Sequence, residues 1–174
     1  SNAVAMPWLS EVRAVLQAWY LGSEAGHALA DVISGRVNPS GKLPFSFPLK
    51  LTDNAAHYFG KESYPGDGSR QYYKEDILVG YRWHDTQKIG PMFAFGHGLS
   101  YTSFEIIEVQ TDKMNYTITD RIQISYKLLN SGEVEGAEVV QVYVGKVEST
   151  VRRALKELKG FQKTKLTAGQ SHNG

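Results

Sequence analysis

The sequence predicts an α/β layer in its first half, followed by an all-β segment. Within residues 12–48, a continuous apolar run, an amphipathic helical stripe and a short alternating stretch follow one another. After residue 103, apolar and polar residues alternate in several separate stretches, which is the pattern of half-buried strands. The composition, 41% hydrophobic and 21% charged in 174 residues, is typical of a globular chain with one ordinary domain or two small ones.

The α/β prediction rests on three stretches. Residues 12–20 form an apolar run broken by single polar residues, which predicts a buried strand. The next stretch has helical spacing, and Gly35 follows it as a left-handed cap. The apolar stripe of that helix, which we expect to be buried, consists of Ala25, Ala28, Leu29, Val32 and Ile33. Residues 43–47 alternate as a short strand, so residues 12–48 are predicted to form a strand–helix–strand unit.

Residues 49–76 are predicted to form a long loop, because turn-forming residues interrupt every periodic pattern. Loops of this length are uncommon in compact domains unless they have a function. A disordered linker would rarely hold so many aromatic residues, so we expect the loop to pack across a surface. Its aromatic residues include Tyr58, Phe59, Tyr64, Tyr72 and Tyr73. Residues 77–83 are predicted to return to a strand.

The all-β prediction begins at about residue 103. Four stretches there have strand character, at residues 104–109, 122–128, 137–144 and 158–163. A β-sandwich of the immunoglobulin-like type has ~7 strands in ~100 residues. Residues 103–174 supply four or five strands, so we expect a truncated sandwich.

Composition excludes several classes of partner and site. The net charge is +1, from 19 basic and 18 acidic residues without clusters, so neither nucleic acid nor a membrane surface is an expected partner. The absence of cysteine excludes disulfides and cysteine-ligated metal, and five histidines show no ligand spacing, so we expect no cofactor and no metal. A disulfide-free chain is compatible with the cytosol and with the periplasm, so composition leaves the location unknown, with a periplasmic or secreted location slightly favoured over a cytoplasmic one.

No motif in the chain identifies a catalytic residue. Gly96-His97-Gly98 lacks the third glycine and the following helix of a dinucleotide-binding turn, and no Gly-x-Ser-x-Gly pattern is present. The carboxylates of the first half have surface explanations, on a helix or among loop residues, and we expect all of them to be solvated. They are Glu24, Asp31, Asp53, Glu62, Asp67, Glu75, Asp76 and Asp85.

A series of ordered motifs nevertheless resembles a known family. The series includes Met6-Pro7-Trp8, Asn38-Pro39-Ser40-Gly41-Lys42-Leu43-Pro44, Val79-Gly80-Tyr81-Arg82-Trp83, Phe95-Gly96-His97-Gly98-Leu99-Ser100-Tyr101 and Leu158-Lys159-Gly160-Phe161. Together they resemble the C-terminal part of family 3 glycoside hydrolases, the β-glucosidase and β-xylosidase group. The resemblance implies that residues 4–102 are an incomplete α/β-sandwich layer. It also implies that residues 103–174 are part of a fibronectin type III-like, immunoglobulin-like β-sandwich.

The resemblance implies a function for the parent protein rather than for this chain. Such enzymes hydrolyse O-glycosidic bonds of β-linked glucosides or xylosides by a retaining double displacement. Their nucleophilic Asp and their acid/base Glu lie upstream of the motifs found here, so no catalytic residue is carried over and the chain is expected to be inactive. Tyr64, Tyr72 and Tyr73 are candidate substrate-binding residues of the intact enzyme, with simple packing as the other explanation. The alternative function is a non-catalytic carbohydrate-binding or scaffolding module.

The two ends of the chain suggest a fragment. Residues 1–3, Ser-Asn-Ala, resemble the scar left by a cleaved affinity tag. The chain then starts within an apolar run, as if taken from something larger. Because unpaired strands and uncovered apolar faces seek partners, we expect self-association through residues 4–20 or 139–144.

Overall fold

A computed structural model describes residues 2–174; Ser1, the first residue of the expected tag scar, lies outside the described residues. The helices are α1 (Ala25–Ile33), α2 (Ala55–Tyr58) and α3 (Tyr81–Gln87), with single 3-10 turns at Leu9–Glu11 and Leu51–Asp53. The strands are β1 (Phe104–Thr111), β2 (Ile124–Asn130), β3 (Gly136–Val144), β4 (Glu157–Leu166) and β5 (Ser171–Asn173). One sheet has the order β1-β2-β5 and the other pairs β3 with β4.

The chain divides into two compact units. The first contains the described part of Ser1–Gly22, together with Lys42–Gly98 and Gln141–Gly160. The second contains Ser23–Gly41, Leu99–Val140 and Phe161–Gly174. Each unit therefore combines residues that are distant in sequence, and each has its own cluster of buried side chains.

The core of the first unit centres on Trp83. The indole is 1% exposed and packs with Ala55 and Leu78, while its ring nitrogen donates to the Asp53 carbonyl oxygen at 3.0 Å. Phe59, Ile89 and Ala154 lie against the same cluster. This core holds the 3-10 turn Leu51–Asp53, α2 and α3 together. The turn and α2 lie inside the predicted loop of residues 49–76, so that prediction is wrong for the start of the range.

Helix α3 contradicts the predicted strand at residues 77–83. The helix begins after Gly80, whose φ of 58° and ψ of −131° are accessible mainly to glycine, and ends at Lys88 with φ 56°. Its turns bury Trp83 and His84. The β-branched and aromatic composition of this stretch was a misleading signal, because tertiary packing overrides local strand propensity.

The predicted strand at residues 12–20 is also wrong. These residues are not paired into any strand of the described chain, and Val15, Leu16 and Tyr20 are 38%, 47% and 88% exposed. A strand forms only when its backbone groups pair with a neighbour, and no described strand pairs with this segment. The apolar pattern of residues 12–20 therefore predicts a strand that the described chain does not form.

The predicted strand at residues 43–47 is reduced to local pairing. Phe47 forms a single antiparallel bridge with Phe93, in which the Phe47 N–H donates to the Phe93 carbonyl at 2.8 Å. Leu43 donates to the His97 carbonyl at 2.8 Å. Of the predicted strand–helix–strand unit, only the helix forms as a regular element.

That helix, α1, lies in the second unit and matches the prediction in extent but not in burial. Gly35 follows it with φ 76°, which confirms the left-handed residue expected there. None of the helix residues is buried, and Ile33 is 73% exposed, so the expectation of a buried stripe is wrong. An apolar stripe is buried only when another element covers it, and the described residues cover this one incompletely.

The strands of the second half confirm the alternation in the sequence. β1 and β2 pair antiparallel, with Phe104 opposite Asn130, and Tyr126, Leu128 and Asn130 are buried in turn. β3 and β4 form where residues 137–144 and 158–163 predicted strands. β5, which pairs with β2, was not predicted. The buried cluster of this unit consists of Tyr126, Leu128, Val140 and Leu166, with Phe104 packed against it.

A buried asparagine connects the parts of the second unit. The side-chain oxygen of Asn130 accepts from the Thr102 hydroxyl at 2.7 Å and from the Gly132 N–H at 3.2 Å. Its amide donates to the Val134 and Leu166 carbonyls at 2.9 and 3.1 Å. All four hydrogen-bonding positions of this fully buried amide are therefore used, which makes its burial favourable.

We predict that Asn130→Ala lowers the free energy of unfolding by about 3 kcal/mol, because it leaves the carbonyl of the buried Leu166 and the partly buried Thr102 hydroxyl and Gly132 N–H without this partner. Ser125→Ala, on the exposed face of the same strand, is the control and is expected to stay within ~0.5 kcal/mol of the parent chain. Urea denaturation of the three proteins measures the difference. Equal midpoints for the Asn130 and Ser125 variants would contradict the structural role of Asn130.

Candidate functional site

The loop that carries the candidate tyrosines, residues 60–76, is named here the tyrosine loop and is closed by its own hydrogen bonds. The Glu62 carbonyl accepts from the Tyr72 N–H at 3.1 Å, and the Lys61 carbonyl accepts from the Gly66 N–H at 2.9 Å. The Lys74 ammonium forms an ion pair with the Glu62 carboxylate. Residues 62 and 72 are thus held side by side, and the aromatic-rich segment is folded, as its composition predicted.

The tip of this loop is organised by Asp67. One carboxylate oxygen accepts from the Ser69 N–H at 2.8 Å, the Ser69 hydroxyl at 2.8 Å and the Arg70 N–H at 2.7 Å. The hydrogen bond from the Ser69 N–H is the largest of the causes that hold the pKa of Asp67 below its ordinary value. Because the folded-state pKa is lowered, this stabilisation is present above the ordinary value of 3.8 and is lost as pH falls through the lowered value.

Gly66 is required at the base of the tip. Its φ is +90°, and a Cβ there would lie 2.4 Å from the Arg70 carbonyl oxygen. Gly68 has nearly the same φ, +91°, but a Cβ there would meet nothing within 4 Å. A side chain at residue 68 therefore carries only the free-energy cost of the positive φ, whereas a side chain at residue 66 carries that cost and a steric clash.

The three candidate tyrosines lie on this ordered loop with much of their surface exposed. Tyr64, Tyr72 and Tyr73 are 51%, 49% and 72% exposed. The Tyr64 ring lies against the His57 ring, with centroids 4.7 Å apart, so packing explains part of its position. Tyr72 is tied by its N–H to Glu62, two residues before Tyr64, and Tyr73 follows directly. The backbone thus brings the three residues to one loop.

The acidic residues of the first half are exposed or partly buried, with one exception. Glu75 is 5% exposed, and its Oε2 is buried without a hydrogen-bond partner, so the expectation that it is solvated is wrong. The next residue, Asp76, has φ 59°. No other carboxylate among residues 2–174 is buried. The described chain therefore lacks a buried pair of carboxylates.

A cavity of about 210 Å³ lies in the first unit beside Trp83 and Phe45. Two of its polar lining groups have partners within the chain. The Ser46 hydroxyl accepts from the Phe95 N–H at 3.2 Å, and the Asn54 side chain accepts from the Ala56 N–H at 3.1 Å. These two groups support the fold around Trp83.

Metal-ligand clusters and membrane-crossing helices were sought among the described residues. Residues 2–174 contain no group of three or more His, Asp or Glu side chains placed to hold a metal ion. None of the helices in this range has both the length and the apolar character that crossing a bilayer requires. The loop of exposed tyrosines is therefore the candidate site that the described residues offer.

We predict that Gly66→Ala disorders the loop tip, whereas Gly68→Ala leaves it in place. Both variants carry the backbone cost of about 1 kcal/mol for a side chain at positive φ, but only Gly66→Ala adds the clash with the Arg70 carbonyl. Amide hydrogen exchange at Asp67, whose N–H donates to that carbonyl at 3.1 Å, measures the effect. Equal exchange rates in the two variants would show that the clash at residue 66 does not determine the order of the loop tip.

Two family models match the chain, and similar proteins point to the same family. Residues 1–101 match the glycosyl hydrolase family 3 C-terminal domain, and residues 138–173 match a fibronectin type III-like domain. The chain is 54% identical over 165 residues to beta-glucosidase BoGH3A of Bacteroides ovatus, covering 95% of this chain and 22% of that protein. It is 48% identical to thermostable beta-glucosidase B of Acetivibrio thermocellus, covering 97% of this chain and 22% of that one.

Solved structures give the same result. The chain superposes with a TM-score of 0.90 on DesR, a β-glucosidase of Streptomyces venezuelae in complex with D-glucose, at 42% identity, over 99% of this chain and 22% of that one. The TM-score is 0.89 for β-glucosidase 3B of Thermotoga neapolitana in complex with glucose, at 36% identity, over 99% of this chain and 24% of that one.

These similarities confirm the resemblance drawn from the motifs and the predicted fold class, an α/β part followed by a fibronectin type III-like β part. The chain spans 22% of the length of the Bacteroides ovatus and Acetivibrio thermocellus enzymes and corresponds to their C-terminal part. The domain boundaries at residues 102 and 103 stay a prediction. The chain belongs to the glycosyl hydrolase family 3 C-terminal domain family.

Proposed function

We propose that this chain is the C-terminal part of a β-glycosidase that hydrolyses O-glycosidic bonds of β-linked glucosides or xylosides. In the intact enzyme the reaction is a double displacement that retains the anomeric configuration. The observation that carries the proposal is the similarity of 95% or more of the chain to two β-glucosidases, at 54% and 48% identity. The names of two similar structures, both β-glucosidases in complex with glucose, support a glycoside as the bound partner.

The proposal assigns no catalytic step to this chain alone. A retaining glycosidase needs two carboxyl groups about 5–5.5 Å apart. Among residues 2–174, Glu75 is the one buried carboxylate, and it has no buried acidic neighbour to act with. The chain therefore contributes to substrate binding and to the shape of the intact enzyme, while the reacting carboxylates belong to the rest of it.

The substrate-binding part of the proposal rests on Tyr64, Tyr72 and Tyr73. Aromatic rings are common in the lining of ligand sites, and loops held on a rigid scaffold carry much of binding function. Tyr72 and Tyr73 keep about half or more of their surface exposed on a loop that is closed by backbone hydrogen bonds. A ring presented in this way loses little entropy when a sugar face packs against it.

A second candidate function is a non-catalytic carbohydrate-binding or scaffolding module. The observation that favours it is the presence of exposed tyrosines on an ordered loop without a catalytic carboxylate pair. The two candidates differ in what the chain does alone. A binding module binds sugar without further protein, whereas part of an enzyme needs the remaining polypeptide to complete the site.

We also propose that the isolated chain self-associates through residues 4–20. Trp8, Val12, Leu16 and Tyr20 are between 43% and 88% exposed in this segment. Residues 139–144, the other segment expected to associate, are a weaker choice because Val140 is 6% exposed. Light scattering over a dilution series tests the proposal, and a monomer at every concentration would refute it.

We predict no turnover of nitrophenyl β-glucoside or nitrophenyl β-xyloside by this chain at high protein concentration. The physical reason is the missing carboxylate pair. The intact enzyme that contains the chain is the positive control. Turnover above a buffer blank that disappears in Glu75→Gln would overturn the assignment of the chemistry to the rest of the enzyme.

We predict that Tyr72→Ala and Tyr73→Ala in the intact enzyme raise KM for a β-linked disaccharide about five- to tenfold, with kcat little changed, as expected for a lost stacking contact of ~1–1.5 kcal/mol. Phe161→Ala is the matched control, because Phe161 is 72% exposed, as Tyr73 is, but lies outside the loop. Unchanged KM in both tyrosine variants would remove the loop from the substrate site.

A further inference from the structure

The segment that follows β3 lies along helix α3 in the first unit. This segment, residues 152–158, is named here the connecting segment. Its backbone donates to two helix side chains: the Leu155 N–H to the Thr86 hydroxyl at 3.0 Å, and the Leu158 N–H to the Tyr81 hydroxyl at 2.8 Å. The segment is therefore attached at both ends of α3 by hydrogen bonds that depend on side-chain identity.

Ion pairs and apolar packing reinforce this attachment. Lys156 Nζ lies 3.3 Å from Asp85 Oδ2, and Arg82 Nε lies 3.4 Å from Glu157 Oε1. Ala154 packs against the core cluster that contains Trp83. The connecting segment thus shares the core that anchors the tyrosine loop.

Arg152 extends the attachment to the end of the tyrosine loop. Its Nη2 donates to the Glu75 carbonyl at 3.4 Å, and its Nη1 lies 3.5 Å from Asp76 Oδ2. One guanidinium thereby contacts two consecutive residues, as its planar fork of donors allows. The contact falls where Glu75 is buried and Asp76 adopts a φ of 59°.

The conformation of Asp76 explains why such a contact is needed. A residue other than glycine at positive φ costs free energy, although aspartate tolerates it better than most, and it persists where the surroundings hold it. The Asp76 N–H donates to the Tyr73 carbonyl at 3.1 Å, and the Lys74 N–H donates to the Tyr72 carbonyl at 3.0 Å. The turn held by Arg152 is therefore continuous with the backbone of both tyrosines.

We infer that Arg152 is a positioning residue, through which the connecting segment sets the orientation of Tyr72 and Tyr73. The connecting segment lies within the fibronectin type III-like match, residues 138–173, and the loop lies within the C-terminal domain match, residues 1–101. The fibronectin type III-like sequence thus supplies a support for a loop of the other domain. The substrate-binding consequence of this inference rests on the proposed function.

Hydrogen exchange of the chain itself tests the positioning role. Arg152→Ala is expected to speed amide exchange at Lys74 and Asp76 about two- to fivefold, the range for a half-exposed ion pair. Arg153→Ala is the matched control, since it removes the same charge one residue further on and leaves the Asp76 contact intact. Arg152→Lys keeps the charge without the fork and is expected to give an intermediate rate. Equal exchange in the Arg152→Ala and Arg153→Ala variants overturns the inference.

A second variant covers the case in which Arg152→Ala does not fold. Asp76→Asn removes the ion pair from the other side while keeping a residue that tolerates positive φ. It is expected to speed exchange at Lys74 and Asp76 by a similar factor. Exchange as slow as in the parent chain would overturn the inference.

Kinetics of the intact enzyme separate this inference from the proposed function. Arg152→Ala is expected to raise KM for a β-linked disaccharide about two- to fivefold with kcat unchanged, because a displaced loop weakens binding without altering the reacting groups. Faster exchange together with unchanged KM would keep the positioning role and refute substrate binding by Tyr72 and Tyr73. A fall in kcat at unchanged KM would refute positioning of a binding loop.

Discussion

The burial of Trp83 is the interaction on which the candidate site depends. The indole joins Ala55 and Leu78 in the core, its N–H is satisfied by the Asp53 carbonyl, and the Tyr58 and Phe59 rings lie 5.0 and 5.5 Å from it. One side chain thereby fixes both ends of the tyrosine loop, at α2 and at α3. A large aromatic ring suits this role, because it buries much apolar area with few rotatable bonds and satisfies its single donor.

The strands that sequence analysis identified correctly are those whose partners lie in the same chain. Tyr126 and Leu128 alternate with polar residues and are buried in β2, which is paired on both sides by β1 and β5. Residues 12–20 have as strong an apolar pattern, yet they form no strand here, because no strand of the described chain pairs with them. β5 escaped prediction because Ser171–Asn173 is three residues long and polar, and its pairing with β2 alone defines it.

The candidate site could be predicted in part. The aromatic content of residues 49–76 indicated an ordered loop, and Tyr72 and Tyr73 are indeed exposed on it. No local sequence pattern predicted the contacts that order the loop. Arg152 is 77 residues from Glu75 in sequence, and the positive φ of Asp76 is a property of the folded backbone rather than of a residue type that demands it. Only the folded chain brings these residues together.

The most direct test of substrate binding by the tyrosine loop is a structure of the intact enzyme that contains this chain, with a β-linked disaccharide bound. We expect the rings of Tyr72 and Tyr73 to contact the sugar within ~4 Å, on a loop whose Asp76 turn is held by Arg152. A bound sugar with no contact to the loop of residues 60–76, in a complex that retains the Arg152 contacts, would contradict this role.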